Sequence, residues 1–171
     1  MNYSIKPFEM KDLPFLWEML YQSIHLPEGQ EVPSLAILKE PKIEKYLNNW
    51  GKEHDHALVA VNENNYPIGA VWIRLLDQEN AGYGFVDNNT PELGMAIESS
   101  YRGLGVGKYL LSKMMDLAED LGYSAISLSV DPRNKNALRL YENSGFKKEY
   151  EDDGGSWTIK KDLQHQKREN H

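Results

Sequence analysis

One stretch limits the folds open to this chain more than any other. Residues 92–108 read Glu-Leu-Gly-Met-Ala-Ile-Glu-Ser-Ser-Tyr-Arg-Gly-Leu-Gly-Val-Gly-Lys, a short apolar segment that runs into glycines at 103, 105 and 107. Behind it Val106, Leu110, Met114, Leu117 and Leu121 recur at spacings of three and four, with Lys108, Ser112, Lys113, Asp116, Glu119 and Asp120 on the other face. That pattern predicts strand, glycine turn and amphipathic helix in immediate succession. A helix start leaves backbone N–H groups without intrahelical acceptors, and the helix dipole adds partial positive charge there. Such a turn suits a phosphate or pyrophosphate, and Arg102 and Lys108 flank it with full charges. On the glycines alone, the alternative is a tight turn with no ligand.

Two familiar phosphate motifs are excluded. A dinucleotide fingerprint needs glycine at 108, where Lys108 stands. A P-loop needs glycine at 102 and Ser or Thr at 109, where Arg102 and Tyr109 stand.

Around this centre the chain predicts alternating strands and helices. Tyr3 and Ile5 suggest a first strand ending near Pro7, and Asp12 a cap for a helix carrying Leu13, Leu16, Trp17, Leu20 and Ile24. Residues 25–34 form a loop, a candidate acceptor-binding wall. Ser34 can cap a second helical region through Leu38, Ile43, Tyr46, Leu47 and Trp50, which Pro41 breaks or kinks. Residues 57–62 and 68–76 form a hairpin. Residues 77–91 are polar and glycine-bearing, either a flap or an excursion of that hairpin. Gly122 ends the long helix. Ala125 to Val130 alternates strictly as a strand, parallel to 92–98 through a right-handed crossover. A helix capped by Asn134 carries Ala137, Leu140 and Tyr141 to Gly145, and 146–150 with 156–163 close as a hairpin. Residues 1–163 read as a single domain, and 164–171 as a frayed tail.

The segment Asn134-Lys-Asn-Ala-Leu-Arg-Leu-Tyr-Glu-Asn-Ser-Gly-Phe146 fills every named position of Asn-x-x-Ala-x-x-Leu-Tyr-x-x-x-Gly-Phe. Together with Arg102, Gly105 and Gly107, which match Gln/Arg-x-x-Gly-x-Gly/Ala, it resembles the GNAT N-acetyltransferases. The two motifs cover 92–146, about a third of the chain. Glu98-Ser99-Ser100 departs from the proline that relatives often carry before the aromatic residue and arginine. The resemblance implies an α/β (α+β) fold of one domain. Its central sheet would be mixed, mostly antiparallel and flanked by helices, splayed between 92–98 and 125–130, with acyl-CoA in the gap. It further implies acetyl transfer from acetyl-CoA to a primary amine of a small molecule or protein, by direct attack in a ternary complex.

The site residues follow on the same terms. Met95, Ala96 and Ile97 offer backbone groups to the amides of the pantetheine arm. Gly103, Leu104, Gly105, Val106, Gly107 and Lys108 line the pyrophosphate turn, with Arg102 beside it and Asn134 at the second motif. Tyr141 can stabilise or protonate the leaving thiolate, and packing of its helix is the alternative. A lysine-type amine with pKa near ~10.4 is almost wholly protonated at neutral pH, so a base is needed. Glu92 is the candidate, against the reading of a surface carboxylate at a strand start; His25, His54 and His56 follow it. Ser127 and Ser129 leave room for a ligand, or pack against a helix.

Composition bounds the rest. There is no cysteine, hence no disulfide framework and no thiolate metal site, and no His/Asp/Glu spacing suggests a metal. A net charge of −7 disfavours nucleic acid and favours a cationic partner. No leader or membrane-spanning run is visible, so a cytoplasmic protein away from membranes is expected, with a homodimer left open. The rival function class is a non-catalytic acyl-CoA-binding or sensing domain, which needs neither Tyr141 nor a base. A third reading, a protein-interaction surface, predicts no CoA affinity.

Overall fold

The strand pattern of the sequence emerges as a seven-stranded sheet in the computed structural model, which describes residues 2–24 and 29–163. His25 and the tail from 164 lie outside the described residues. The strands are β1 (Tyr3–Pro7), β2 (Asp55–Asn62), β3 (Pro67–Arg74), β4 (Glu92–Ile97), β5 (Ala125–Val130), β6 (Lys147–Glu151) and β7 (Trp157–Asp162), in the order β1-β2-β3-β4-β5-β7-β6. β1 on β2, β5 on β7 and β6 on β7 are antiparallel. β4 meets β5 in parallel, with Glu92 opposite Ser127. The helices are α1 (Leu13–Ser23), α2 (Pro41–Glu44), α3 (Val106–Asp120) and α4 (Lys135–Asn143).

The chain gathers into two units, one of Met1–Ile73 with Gly94–Leu111, the other of Arg74–Leu93 with everything from Ser112 on. In the first, α1 lays Leu16, Met19 and Leu20 against Leu47, Trp50, Ala57, Ala70, Trp72 and Ala96, closed around by Phe8, Phe15, Trp17 and Tyr46. Asp12 does not cap α1 with its side chain. Its carboxylate accepts from the Glu9 N–H at 2.9 Å and pairs with Lys6 at 3.1 Å, an ion pair reaching back to β1. Ser34 accepts from the Ala36 N–H as a cap should, but of a 3₁₀ turn; Pro41 then opens the short α2, so the second helical region is divided as expected.

Trp72 shows why β4 carries Gly94. A Cβ at Gly94 would sit 2.4 Å from the indole Cε2 and 2.6 Å from Nε1. The indole N–H is buried with no hydrogen-bond partner among the described residues. At Gly69 the nearest side-chain atom is the flexible end of Ile97, at 2.7 Å; at Gly94 it belongs to a rigid ring that cannot step aside. Gly94→Ala therefore should cost about 1–3 kcal/mol, as overpacked cores do, read as a lower denaturation midpoint at unchanged slope.

In the second unit, Ile126, Leu128, Phe146, Ile159 and Leu163 are buried. α3 runs to Asp120, so Leu121 falls in the closing turn and is exposed rather than part of the apolar stripe; Ala118 is buried in its stead. The Gly122 N–H bonds to Glu119 and the Tyr123 N–H to Ala118, with Gly122 at φ +91°, a left-handed helix stop.

Candidate active site

The glycine turn lies wholly within the first unit. After β4 the chain makes a 3₁₀ turn over Ser99–Tyr101, and Asn62 donates to the Tyr101 hydroxyl at 3.1 Å. Arg102 Nε donates to the Ile97 carbonyl at 3.1 Å, so the arginine stays beside the strand end while remaining exposed. Gly103 and Gly105 take φ +76° and +85°, the left-handed region where a side chain is strained. The carbonyl of Gly105 accepts from the Tyr109 N–H at 3.1 Å and from the Tyr3 hydroxyl at 3.4 Å. The backbone N–H groups of residues 103 to 108 donate to nothing among the described residues. A run of unpaired donors at a helix start, with Arg102 and Lys108 exposed beside it, is equipped to receive several anionic oxygens. On β4, Met95 and Ile97 are half-buried and Ala96 is buried.

Glu92, Asn134 and Tyr141 belong to the second unit. Asn134 starts α4, its side chain accepting from the Ala137 N–H. Tyr141 is 8% exposed and meets Phe146 edge-on at 5.5 Å between centroids. Phe146 and Tyr141 are brought together by the helix stop at Gly145, φ +100°, where the Phe146 N–H bonds to the Tyr141 carbonyl. The Tyr141 hydroxyl has no hydrogen bond to any described residue. Burial pushes its pKa up to about 12, because the phenolate would lose its hydration.

Glu92 is not a surface carboxylate; it is 2% exposed. One oxygen accepts from the Gly82 N–H and the other from the Gly84 N–H, each at 2.9 Å. Ser127 leaves no vacant face, since its hydroxyl donates to the Gly84 carbonyl at 2.7 Å. The loop of 77–91 is thus tied down rather than a free flap, a feature that sequence reasoning missed; Gly82 and Gly84 around Tyr83, followed by a carboxylate in an apolar strand, were its only signal. His54 is exposed, and His56 is half-buried at the start of β2, its pKa lowered by burial.

No helix among the described residues is long and apolar enough to cross a membrane. The chain is 28% identical over 146 residues to N-alpha-acetyltransferase 30 of Saccharomyces cerevisiae, covering 75% of this chain and 76% of that one. With YwnH of Bacillus subtilis it shares 37% identity over 59 residues, which spans only 34% of this chain and 36% of that relative. Among solved structures, spermidine N-acetyltransferase from Vibrio cholerae, in complex with CoA and spermine, superposes with a TM-score of 0.63 at 19% identity, over 94% of this chain and 95% of that one. That likeness is one of fold. The profile described as "Acetyltransferase (GNAT) family" matches residues 17–146. That match takes in the strand, the turn of unpaired N–H groups and the helix of Tyr141, and the chain belongs to the GNAT acetyltransferase family.

Proposed function

We propose that residues 1–163 act as one N-acetyltransferase domain that moves acetyl from acetyl-CoA to a primary amine by direct attack in a ternary complex. The observation that carries this reading is the run of unpaired N–H groups at 103–108, set by the left-handed Gly103 and Gly105. These groups and the Arg102 and Lys108 charges bind the pyrophosphate. The backbone of Met95, Ala96 and Ile97 bonds the pantetheine amides, and an N–H near Met95 stabilises the oxyanion formed on attack. Asn134 contributes by starting the helix that carries Tyr141.

Tyr141 serves the leaving thiolate. The side chain is buried, and its hydroxyl has no hydrogen-bond partner among the described residues. With a phenol pKa pushed up to about 12 and a cysteine-like thiol near ~8.5, full proton transfer is uphill by roughly 5 kcal/mol. Tyr141 therefore stabilises the thiolate by donating a hydrogen bond, and solvent supplies the proton afterwards. Each Glu92 oxygen accepts one backbone N–H and keeps a further acceptor site, so we assign the amine's proton to Glu92, directly or through water. The net charge of −7 favours a cationic, amine-bearing acceptor; the spermine in the Vibrio cholerae enzyme's complex is of this chemistry.

Acetyl-CoA should raise the melting temperature, with about 2.7 kcal/mol of stabilisation at a hundredfold excess over Kd. Pantetheine fragments lacking the pyrophosphate should shift it much less. Equal shifts for the two would remove the basis for placing the pyrophosphate at 103–108.

A further inference from the structure

Side-chain space at the glycine turn is empty: a Cβ built at Gly103 or Gly105 meets nothing within 4 Å, and Leu104 between them is 49% exposed. Glycines leave such a segment many conformations, so its shape has to be held from its ends. The holds come from β1 and β2, in the same unit as the turn. Tyr3 of β1 stands directly opposite Asn62 of β2 in the ladder, which puts both side chains on one face of the sheet. The Asn62 amide nitrogen donates to the Tyr101 hydroxyl at 3.1 Å, one residue before Arg102. The Tyr3 hydroxyl donates to the Gly105 carbonyl at 3.4 Å. The Tyr3 ring meets that of Tyr109 edge-on at 6.0 Å between centroids, and the Tyr109 N–H bonds to the same Gly105 carbonyl. Asn62 is itself fixed, because its side-chain oxygen accepts from the N–H groups of Asn64 at 2.9 Å and Tyr66 at 3.0 Å. Two donors on that side demand the oxygen there and turn the N–H₂ toward Tyr101.

A loop already held in the shape its ligand needs loses less freedom on binding. We propose that Tyr3 and Asn62 are positioning residues for the acyl donor: from facing places on β1 and β2 they clamp the two ends of the 101–105 turn and keep its N–H groups aimed at one pyrophosphate. This rests on the acetyltransferase reading and its placement of the pyrophosphate at 103–108. Asn62 gives the firmer hold, since 3.4 Å is long for a hydroxyl donor, and Tyr3 adds its ring. Arg102, tied to the Ile97 carbonyl, follows Tyr101 directly, so the clamp also fixes where its charge stands. The clamp acts on the nucleotide end of the donor alone. S-acetylpantetheine, which lacks the pyrophosphate, gains nothing from it.

Two conservative variants of the full chain test it. Tyr101→Phe removes the acceptor of the Asn62 amide and leaves Asn62 its bonds to Asn64 and Tyr66; Tyr3→Phe removes the hydroxyl and keeps the ring. Each should raise the Kd of acetyl-CoA about two- to tenfold, Tyr3→Phe at the lower end, and the double variant should raise it by at least about tenfold. The Kd of S-acetylpantetheine and the kcat at saturating acetyl-CoA should stay near wild type. In the ligand-free double variant, backbone amide order parameters at Gly103 and Gly105 should fall from roughly 0.85 to below about 0.6. Should the double variant fail to fold, the single variants should show the same split in smaller measure. Wild-type acetyl-CoA affinity in a folded double variant overturns the clamp. So does an equal loss for acetyl-CoA and S-acetylpantetheine, since the change is then a general one in the fold. If the unmodified protein binds acetyl-CoA no tighter than S-acetylpantetheine, the pyrophosphate placement fails and the positioning role with it, while the order parameters still decide whether the two side chains hold the turn.

Discussion

Tyr141→Phe should lower kcat by about 10²–10⁴-fold while leaving the affinity for acetyl-CoA within a small factor of wild type. The substitution removes one oxygen and keeps the ring that meets Phe146 at 5.5 Å. The hydroxyl makes no hydrogen bond to a described residue, so the fold loses no internal bond, and any loss of turnover reports on the bound ligand. Kinetics of CoA release measure it, and wild-type kcat would refute the assigned role. A protein that binds acetyl-CoA tightly, yet turns over no amine with or without Tyr141, would instead be a sensing domain.

The same variant carries a pH signature. The Tyr141 pKa rises from 10 in the unfolded chain to about 12 in the folded protein because burial disfavours the phenolate. Between these values the unfolded chain has released a proton that the folded protein retains, so stability falls as pH rises. The contribution is fully present below pH 10 and is lost on passing through about 12, a span worth up to roughly 3 kcal/mol. Tyr141→Phe should flatten the stability curve across that window and leave it unaltered at neutral pH. Denaturation midpoints across this range test it, and parallel curves would contradict the assigned burial.

The second large effect is expected at Gly105. The residue sits at φ +85°, and a built Cβ meets nothing within 4 Å. Space is not the obstacle to a side chain; backbone conformation is, and a β-branched residue in the left-handed region is strained. Gly105→Val should relieve the strain by turning the peptide, which re-aims the N–H groups of the turn. Acetyl-CoA affinity should fall by at least about a hundredfold, since several charge-assisted bonds of roughly 1.5–3 kcal/mol each are lost together. α3 should survive, because its buried stripe of Val106, Leu110, Leu111 and Met114 is untouched. Calorimetric titration beside far-ultraviolet dichroism separates the two. A folded variant with unchanged affinity would make the turn purely structural.

Local rules of the chain were sufficient for a good part of this. The turn was legible because its signals are local: glycine for positive φ, an apolar stripe at helical spacing, and a glycine stop at 122. Strand β5 was legible from strict alternation, β6 and β7 as a closing hairpin, and the family from Arg102, Gly105, Gly107 and the motif ending at Phe146. The division of the second helical region at Pro41 follows from a missing N–H, also a local property. Periodicity overreached at Ile24, which lies past the end of α1 in extended backbone, and at Leu121, where a left-handed stop took the residue off the helix face.

Tertiary structure decided what depends on partners distant in sequence. Asp12 reads as a helix cap, but the ammonium of Lys6 stands at 3.1 Å and draws its carboxylate back toward β1. Glu92 reads as a candidate base or a surface carboxylate, and Ser127 as room for a ligand or as helix packing, because neither sequence position reveals that a glycine turn lies across them. The need for glycine at 94 shows only in the fold, where the Trp72 indole fills the space a Cβ would take. Alternation, caps and turns are fixed by bonds among near neighbours and can be read along the chain. The burial of a carboxylate, and the donors that make its burial tolerable, arise only when separate segments close over it and exclude water.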